Sequence, residues 1–372
     1  MANPAENTLH EALAAFDFGN PVVGAARFGC GHINDTFCVH TQPKDDCCRC
    51  FILQRMSAAA FKHPEQLMAN IIGITDYLGK KIEEAGGDRS REAMEVLRTA
   101  DGKPFFTDSE GGAWRVYPYV TGTYCYQSAE TPELFEASAR AFGKFQRMLC
   151  DYPAETLFEA IPHFHDTEDR LQKLKDAIDA DIMGRVAVCG EEIAFALARE
   201  KDCSVALQAQ RDGILPLRVT HNDTKLNNVL MDKETGEGLC VIDLDTTMPG
   251  LAINDFGDSI RFGANHNVED EKDLTKVNFD IDLYEAYARG FLEGAAGALT
   301  DAELDYLPWG AKLMTLECGI RFLTDYLSGD TYFRIHHTHM NLDRCRTQFK
   351  LVRDMEEQWD EMHAVIRRLS GR

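Results

Sequence analysis

The sequence predicts an α+β chain in two lobes, a small N-terminal lobe on an antiparallel sheet and a larger, mainly helical C-terminal lobe. Three observations lead there. Short β-prone runs broken by glycine and charged turns fill residues 25–120. From residue 131 onward apolar residues recur at helical spacing. A length of 372 residues with 44% hydrophobic content is enough for two packed cores. The expected boundaries are 1–116 for the first lobe, 117–121 for a connector and 122–372 for the second.

The elements follow in order. The opening MANPAENTLHEALAAFDFG reads as an amphipathic helix, without the basic and apolar regions of a signal peptide. AARFGCGHINDTFCVH, at 25–40, reads as strand, glycine turn, strand, with Gly29 and Gly31 in the turn, and residues 51–55 as a third strand. Pro64 opens a helix to about residue 85, with Glu65 in its first turn, either solvated or paired with the basic residue of the third strand. Residues 96–99, 103–107 and 114–120 complete the sheet, and Pro118 stiffens the passage to the second lobe. Helices are expected over 134–149, 167–183, 191–200, 282–296, 304–327 and 347–368.

Among these helices, residues 219–247 stand apart. VTHNDTKLNNVLMDKETGEGLCVIDLDTT reads as a hairpin, with apolar runs at 219–220, 229–230 and 239–244 around a turn at 233–238. Its polar residues fall at strand ends, where a rigid scaffold presents functional groups. An Asp followed five residues later by an Asn, then a strand ending in another Asp, is the parts list of a phosphoryl-transfer centre. Asp223 is the candidate base for an acceptor hydroxyl. Asn228 and Asp243 offer a neutral and an anionic oxygen, suited to a hard cation such as Mg²⁺. His221 braces the loop backbone, and Lys225 is placed to meet a phosphate as a point charge. Glycines at 29 and 31 would let backbone amides approach nucleotide phosphates.

Composition excludes several classes. A net charge of −22 argues against nonspecific binding to nucleic acid or anionic lipid. No run of about 18 apolar residues could span a membrane, and a cytoplasmic location is expected. Of the twelve cysteines, Cys47, Cys48 and Cys50 cluster without the paired spacing of a zinc site and read as incidental thiols at a hairpin tip. His336, His337 and His339 read as surface or packing residues.

The chain resembles the aminoglycoside phosphotransferase and choline kinase superfamily, through HNDTKLNN at 221–228 and VIDLD at 241–245. Within it, the chain is most similar to the N-acetylhexosamine 1-kinases. That closer match rests on FILQR at 51–55, FKHPEQLMANI at 61–71, TTMPGLAINDFGDSIRFGAN at 246–265 and RFLTDYLSGDTYFRIHHTHMNLDR at 321–344. The resemblance implies a protein-kinase-like fold using ATP and Mg²⁺, with transfer to the anomeric hydroxyl of a sugar such as GlcNAc or GalNAc. It implies Asp223 as base and Asn228 and Asp243 as metal ligands. Gly29, Gly31, Asn34, Arg55, Tyr117 and Tyr119 fall to the nucleotide, and His32, Asp223, Phe262 and Arg321 to the sugar. The bland alternatives are an Arg321–Asp325 helical pair and a core Phe262. One departure stands out: FILQR carries Gln54 and Arg55 where the superfamily commonly has Lys. Only one of the two can face a nucleotide, and the reading favours Arg55 for its charge. The rivals are a kinase of another small alcohol, such as choline, homoserine or an aminoglycoside, and a nucleotide-binding protein without turnover.

Overall fold

A computed structural model describes residues 4–29, 33–43 and 49–372. The chain forms two compact units. The first takes in the chain through Thr123 with Leu157–Ile161 and Leu239–Thr247; the second holds Tyr124–Thr156, Pro162–Gly238 and Met248–Arg372. The segment bearing Asp243 belongs to the first unit.

The first unit begins with α1 (Pro4–Ala15), β1 (Val22–Arg27), β2 (Asp35–Thr41) and β3 (Cys50–Arg55). It continues through α2 (Pro64–Glu84), α3 (Arg89–Glu92), β4 (Phe106–Thr107) and β5 (Ala113–Pro118). The strands form an antiparallel sheet in the order β1-β2-β3-β5-β4. Residues 96–99 contribute only isolated bridges, Leu97 to Val116 and Thr99 to Phe16.

Register decides which side chains share a face. Phe37, Val39, Phe51, Leu53, Trp114 and Val116 point to one side, where Ala12, Phe16 and Phe18 close a core. Thr36, Cys38, His40, Cys50, Ile52, Gln54, Arg115 and Tyr117 alternate onto the other face.

After β6 (Thr123–Tyr124), the second unit runs through α4 (Pro132–Met148), α5 (Thr167–Ala180), α6 (Gly190–Leu197), α7 (Glu200–Cys203) and α8 (Val205–Arg211). Then come β7 (Arg218–Thr220), β8 (Val229–Asp232), β9 (Gly238–Val241), which leads into the first unit, and β10 (Met248–Gly250). It ends with α9 (Ala252–Gly263), α10 (Ile281–Ala295), α11 (Asp301–Leu327), α12 (Met340–Glu357) and α13 (Trp359–Ser370). Thr131 caps α4 through the Leu134 amide, and a Thr300–Glu303 capping box opens α11. The single helix expected over 347–368 is two helices broken at Gln358.

Helix α9, which hydropathy alone did not single out, is the element that positions the site. It lies so close to α11 that a Cβ on Gly257 would stand 2.1 Å from the Gly310 carbonyl oxygen. That approach excludes any side chain there. Eleven of its twelve residues are buried, Asn254, Asp255, Asp258, Ser259 and Arg261 included. Buried polar groups need partners; Asp255, Asp258 and Ser259 find theirs on the loop after β7, and Arg261 pairs with Asp258 and Glu269.

Candidate active site

In the second unit, β7 delivers the chain into the loop 221–228. Asn222 sits at φ 65°, a left-handed conformation that few non-glycine residues adopt. Asp255 holds it there. Its carboxylate, fully buried, accepts from the His221 amide at 2.9 Å, the Asn222 amide at 2.8 Å and Gln146 Nε2 at 2.6 Å. Burial raises its pKa, partly offset by His221 and these donors. Asp258 accepts from the Thr224 amide at 3.0 Å, Thr224 Oγ1 donates to the Asp255 carbonyl, and Ser259 Oγ donates to the Thr224 carbonyl. Tyr287 donates in turn to Ser259 Oγ at 2.6 Å.

A second brace comes from the segment before α5 and from α11. His165, its side chain 9% exposed, meets Glu317 Oε1 through Nδ1 at 3.0 Å and the Asn222 carbonyl oxygen through Nε2 at 3.1 Å. Both partners are acceptors, so the ring serves both only as an imidazolium with two N–H donors. Desolvation opposes that charge, but Glu317 outweighs it and raises the His165 pKa. Burial likewise works against the Glu317 carboxylate, and His165 reverses it, leaving its pKa lowered. His221 is fully buried between the edges of Phe142 and Phe145, and its Nδ1 accepts from the Asp223 amide at 3.3 Å. It braces the loop backbone.

Asp223 is thereby presented half-buried. Asn228 Nδ2 donates to its carbonyl at 2.8 Å and to Oδ2 at 3.0 Å, while Lys225 Nζ lies 2.7 Å from Oδ1. Burial opposes the Lys225 charge, but Asp223 and Asp258 outweigh it and hold its pKa above the ordinary value. With Nδ2 engaged on Asp223, the amide oxygen of Asn228 is the atom left for a cation. Residues Leu226–Asn228 form a single 3-10 turn that carries Asn228 back towards Asp223.

The first unit carries its own polar group. Asp243 sits at φ 61°, again left-handed, at the end of the apolar run 239–242. Two residues on, the buried Asp245 accepts from Arg115 Nη1, from Arg115 Nη2 at 2.8 Å and from Asn34 Nδ2 at 2.7 Å. Arg115 also reaches Gln54 Oε1, through Nε at 3.0 Å and Nη2 at 2.8 Å. Its guanidinium lies 5.3 Å from the Tyr117 ring centroid. Burial works against the Arg115 charge, and Asp245, Tyr117 and Asp243 more than restore it.

The predicted site residues are therefore placed as follows. Asp223 and Asn228 are brought together by hydrogen bonds. Asn34 is engaged at both ends of its amide, its oxygen accepting from the Ser57 amide at 3.0 Å. Gly29 is exposed at φ 79°, while Gly31 and His32 lie outside the described residues. Tyr117 is buried, and Tyr119 donates its amide to the Cys50 carbonyl at 3.0 Å. Arg55 departs from the expectation. Strand alternation sends it to the face of Trp114, 5.8 Å from that ring, where it pairs with Asp108 at 3.0 Å and Glu110 at 3.3 Å. Gln54 takes the Arg115 face instead. Glu65 likewise finds His63 at 3.6 Å, not the strand cation.

In the second unit, Phe262 is half-buried near the C-terminal end of α9. Arg321 does not form the expected helical pair, because Asp325 accepts instead from the amides of Thr331, Tyr332 and Phe333 and from Asn341 Nδ2. The Arg321 guanidinium lies 5.4–5.9 Å from the rings of Phe333, Tyr332 and Phe164. Its charge, after burial, depresses the pKa of Arg170, whose Nε is buried without a hydrogen-bond partner. His337 meets Asp270 at 3.3 Å and His339 meets the Tyr326 hydroxyl, which are packing roles.

Sequence reading missed Asp255, Asp258, His165, Glu317 and the Arg115–Asp245 pair. A signal existed for two of them: AINDFGDSIRFG has helical apolar spacing with acids three residues apart, one turn of a helix. His165 and Glu317, 152 residues apart, left none.

Comparison with known proteins then decides the family. A family model described as "Phosphotransferase enzyme family" matches residues 26–299. The chain belongs to the phosphotransferase enzyme family. Among solved structures, it is similar to amicoumacin kinase hAmiN in complex with AMP-PNP, Ca2+ and Ami (TM-score 0.58, 15% identity, 96% of this chain and 94% of that one). It is also similar to a microcompartment-associated aminopropanol kinase (TM-score 0.56, 14% identity, 95% and 98%). A Plasmodium vivax ethanolamine kinase matches at TM-score 0.52 and 13% identity, over 87% and 82%. At these identities the likeness establishes the fold, the kinase-like α+β fold predicted from sequence. No described helix of this phosphotransferase is long and apolar enough to cross a membrane.

Proposed function

We propose that the chain is an ATP-dependent kinase that phosphorylates the anomeric hydroxyl of an N-acetylhexosamine, GlcNAc or GalNAc, giving the sugar 1-phosphate and ADP. The observation that carries the kinase reading is Asp223, a carboxylate fixed by Asn228 and Lys225 on a loop clamped by Asp255 and Asp258. Phosphoryl transfer asks the protein mainly to position and to neutralise. In this reading Asp223 orients the acceptor hydroxyl and takes its proton as the oxygen–phosphorus bond forms and the bond to ADP breaks. Lys225 pairs with Asp223 and adds positive charge near the transferred group.

Asn228 on the second unit and Asp243 on the first each offer a hard oxygen donor of the kind Mg²⁺ takes, an amide oxygen and a carboxylate. A Mg²⁺ ion bound with ATP would neutralise charge on phosphate oxygens. On the first unit, the nucleotide would use the face of Gln54, Arg115 and Tyr117, because α1 closes the opposite one. The exposed loop at Gly29 would supply amides to the phosphates, and Arg55 takes no part.

The sugar assignment rests on the sequence segments at 51–55, 61–71, 246–265 and 321–344, and on Arg321. Its donors, set among three rings, would suit hydroxyl and acetamido oxygens, while a ring packs a sugar face. The test is a panel of GlcNAc, GalNAc, other free sugars, choline, homoserine and kanamycin, incubated with Mg-ATP and read by ³¹P and ¹H NMR. Phosphate on an anomeric oxygen is expected. Transfer only to another alcohol would remove the sugar claim and leave a kinase, whereas nucleotide binding without turnover would remove both.

A further inference from the structure

The sheet of the first unit carries a second group of reactive side chains. Cys38 and His40 stand two residues apart on β2, and Cys50 opens β3 directly opposite His40. Alternation puts all three on the face turned away from Val39, Phe51 and Leu53. One potential ligand atom from each lies within 4.8 Å of the other two, and Cys50 Sγ is 3.2 Å from His40 Nδ1. Cys38 is buried, Cys50 half-buried and His40 exposed, so the group is anchored at one side and open to solvent at the other.

Two thiols and an imidazole are the borderline-soft donor set that zinc prefers. Around a tetrahedral ion with Zn–S about 2.3 Å and Zn–N about 2.0–2.1 Å, neighbouring ligand atoms stand roughly 3.5–3.8 Å apart. The observed separations exceed these by at most about 1.3 Å, within what side-chain torsions span. A disulfide is the competing use of two nearby cysteines, but here the register opposes it. Cys38 faces Ile52, so Cys50 is its diagonal neighbour. Diagonal pairs lie about 7–8 Å apart, beyond the roughly 4.4–6.8 Å Cα span of a disulfide.

We propose that Cys38, His40 and Cys50 form a zinc-binding site, with the fourth tetrahedral position left to water. Binding displaces the two thiol protons and ties β2 to β3, so affinity rises with pH and the loaded protein melts at a higher temperature. The donor set stands without the kinase reading, but it shares the sheet face of Gln54, Arg115 and Tyr117 that the proposed nucleotide would use.

The test uses the reduced, metal-stripped full chain, titrated with Zn²⁺ against a chromophoric chelator and with Co²⁺ by absorption. One tight equivalent with thiolate-to-cobalt charge-transfer absorption is expected. Cys50→Ser and His40→Ala should each weaken Zn²⁺ by about 100-fold or more, the upper end of what losing a group that merely supports a ligand costs. Both residues are at least partly exposed, so these variants should fold even if Cys38→Ser does not. The Cys47→Ser/Cys48→Ser double variant should bind as the parent does, and Zn²⁺ should raise the melting temperature of the parent but not of Cys50→Ser. Absence of tight binding, binding that survives Cys50→Ser and His40→Ala, or loss in the Cys47/Cys48 variant would overturn the proposal.

Discussion

Replacing Asp255 by Asn tests whether α9 positions the loop that bears Asp223. The carboxylate accepts three N–H donors, two on Oδ2 and one on Oδ1. An amide in the same place can turn its oxygen to the His221 and Gln146 side. Its NH₂ then faces the Asn222 N–H, donor against donor. A buried donor left unsatisfied costs about 1–3 kcal/mol, and hydrogen bonds to a charged acceptor are each worth about 1.5–3 kcal/mol against roughly 1 for neutral ones. Taken together, about 2–4 kcal/mol should be lost, a large share of a typical 5–15 kcal/mol stability. Asn222, held left-handed by this contact, is the residue before Asp223. Its relaxation would move Asp223, the proposed base, and a displacement of about 1 Å can cost about 100-fold in rate. Urea unfolding gives the first number and single-turnover phosphate transfer the second. An Asp255→Asn protein with parental stability and parental rate would refute the clamp.

Two further outcomes are expected. The His165–Glu317 pair should make stability depend on pH. His165, raised from 6.5 by the fold, contributes fully below that value and less as pH rises through its folded pKa; Glu317, lowered from 4.5, contributes fully above that value and less as pH falls through its own. The stability gap between the parent and His165→Gln should therefore be widest between 4.5 and 6.5 and shrink towards alkaline pH, and a gap that widens above neutrality would contradict the imidazolium assignment. On the sheet, Arg115→Met strands a buried Asp245 and should cost about 3–5 kcal/mol in urea unfolding, whereas Arg55→Met should cost clearly less, because its buried partner Asp108 keeps Trp114 Nε1 and the Glu110 and Gly112 amides as donors. Equal losses would show that the two faces have been misread.

Much of the fold was legible because its signals are local. The glycine and proline punctuation of residues 25–120 marks strands, and 304–327 carries its helical period through to the α11 terminus at Leu327. The Asp223–Asn228 contact was legible because five residues bridged by one tight turn bring the two side chains together. Arg55 was misassigned because charge was weighed ahead of register, and alternation gives the Arg115 face to Gln54. The supports of the loop were invisible because they are tertiary. His165 comes from the segment before α5 and Glu317 from α11, and Asp255 from a helix whose buried polar residues look, in sequence, like a solvated face. Arg115 and Asp245, 130 residues apart, meet only once the segment 239–247 joins the first unit.

The most direct measurement compares the parent with Asp223→Asn under saturating Mg-ATP and N-acetylhexosamine, following sugar phosphate by ³¹P NMR and nucleotide binding by calorimetry. Removing the proton acceptor without changing its shape should lower turnover about 100- to 10,000-fold and leave fold and nucleotide affinity near the parent. Turnover within a few-fold of the parent would show that the carboxylate held by Asn228 and Lys225 is not the base, and the mechanism built on it would fall.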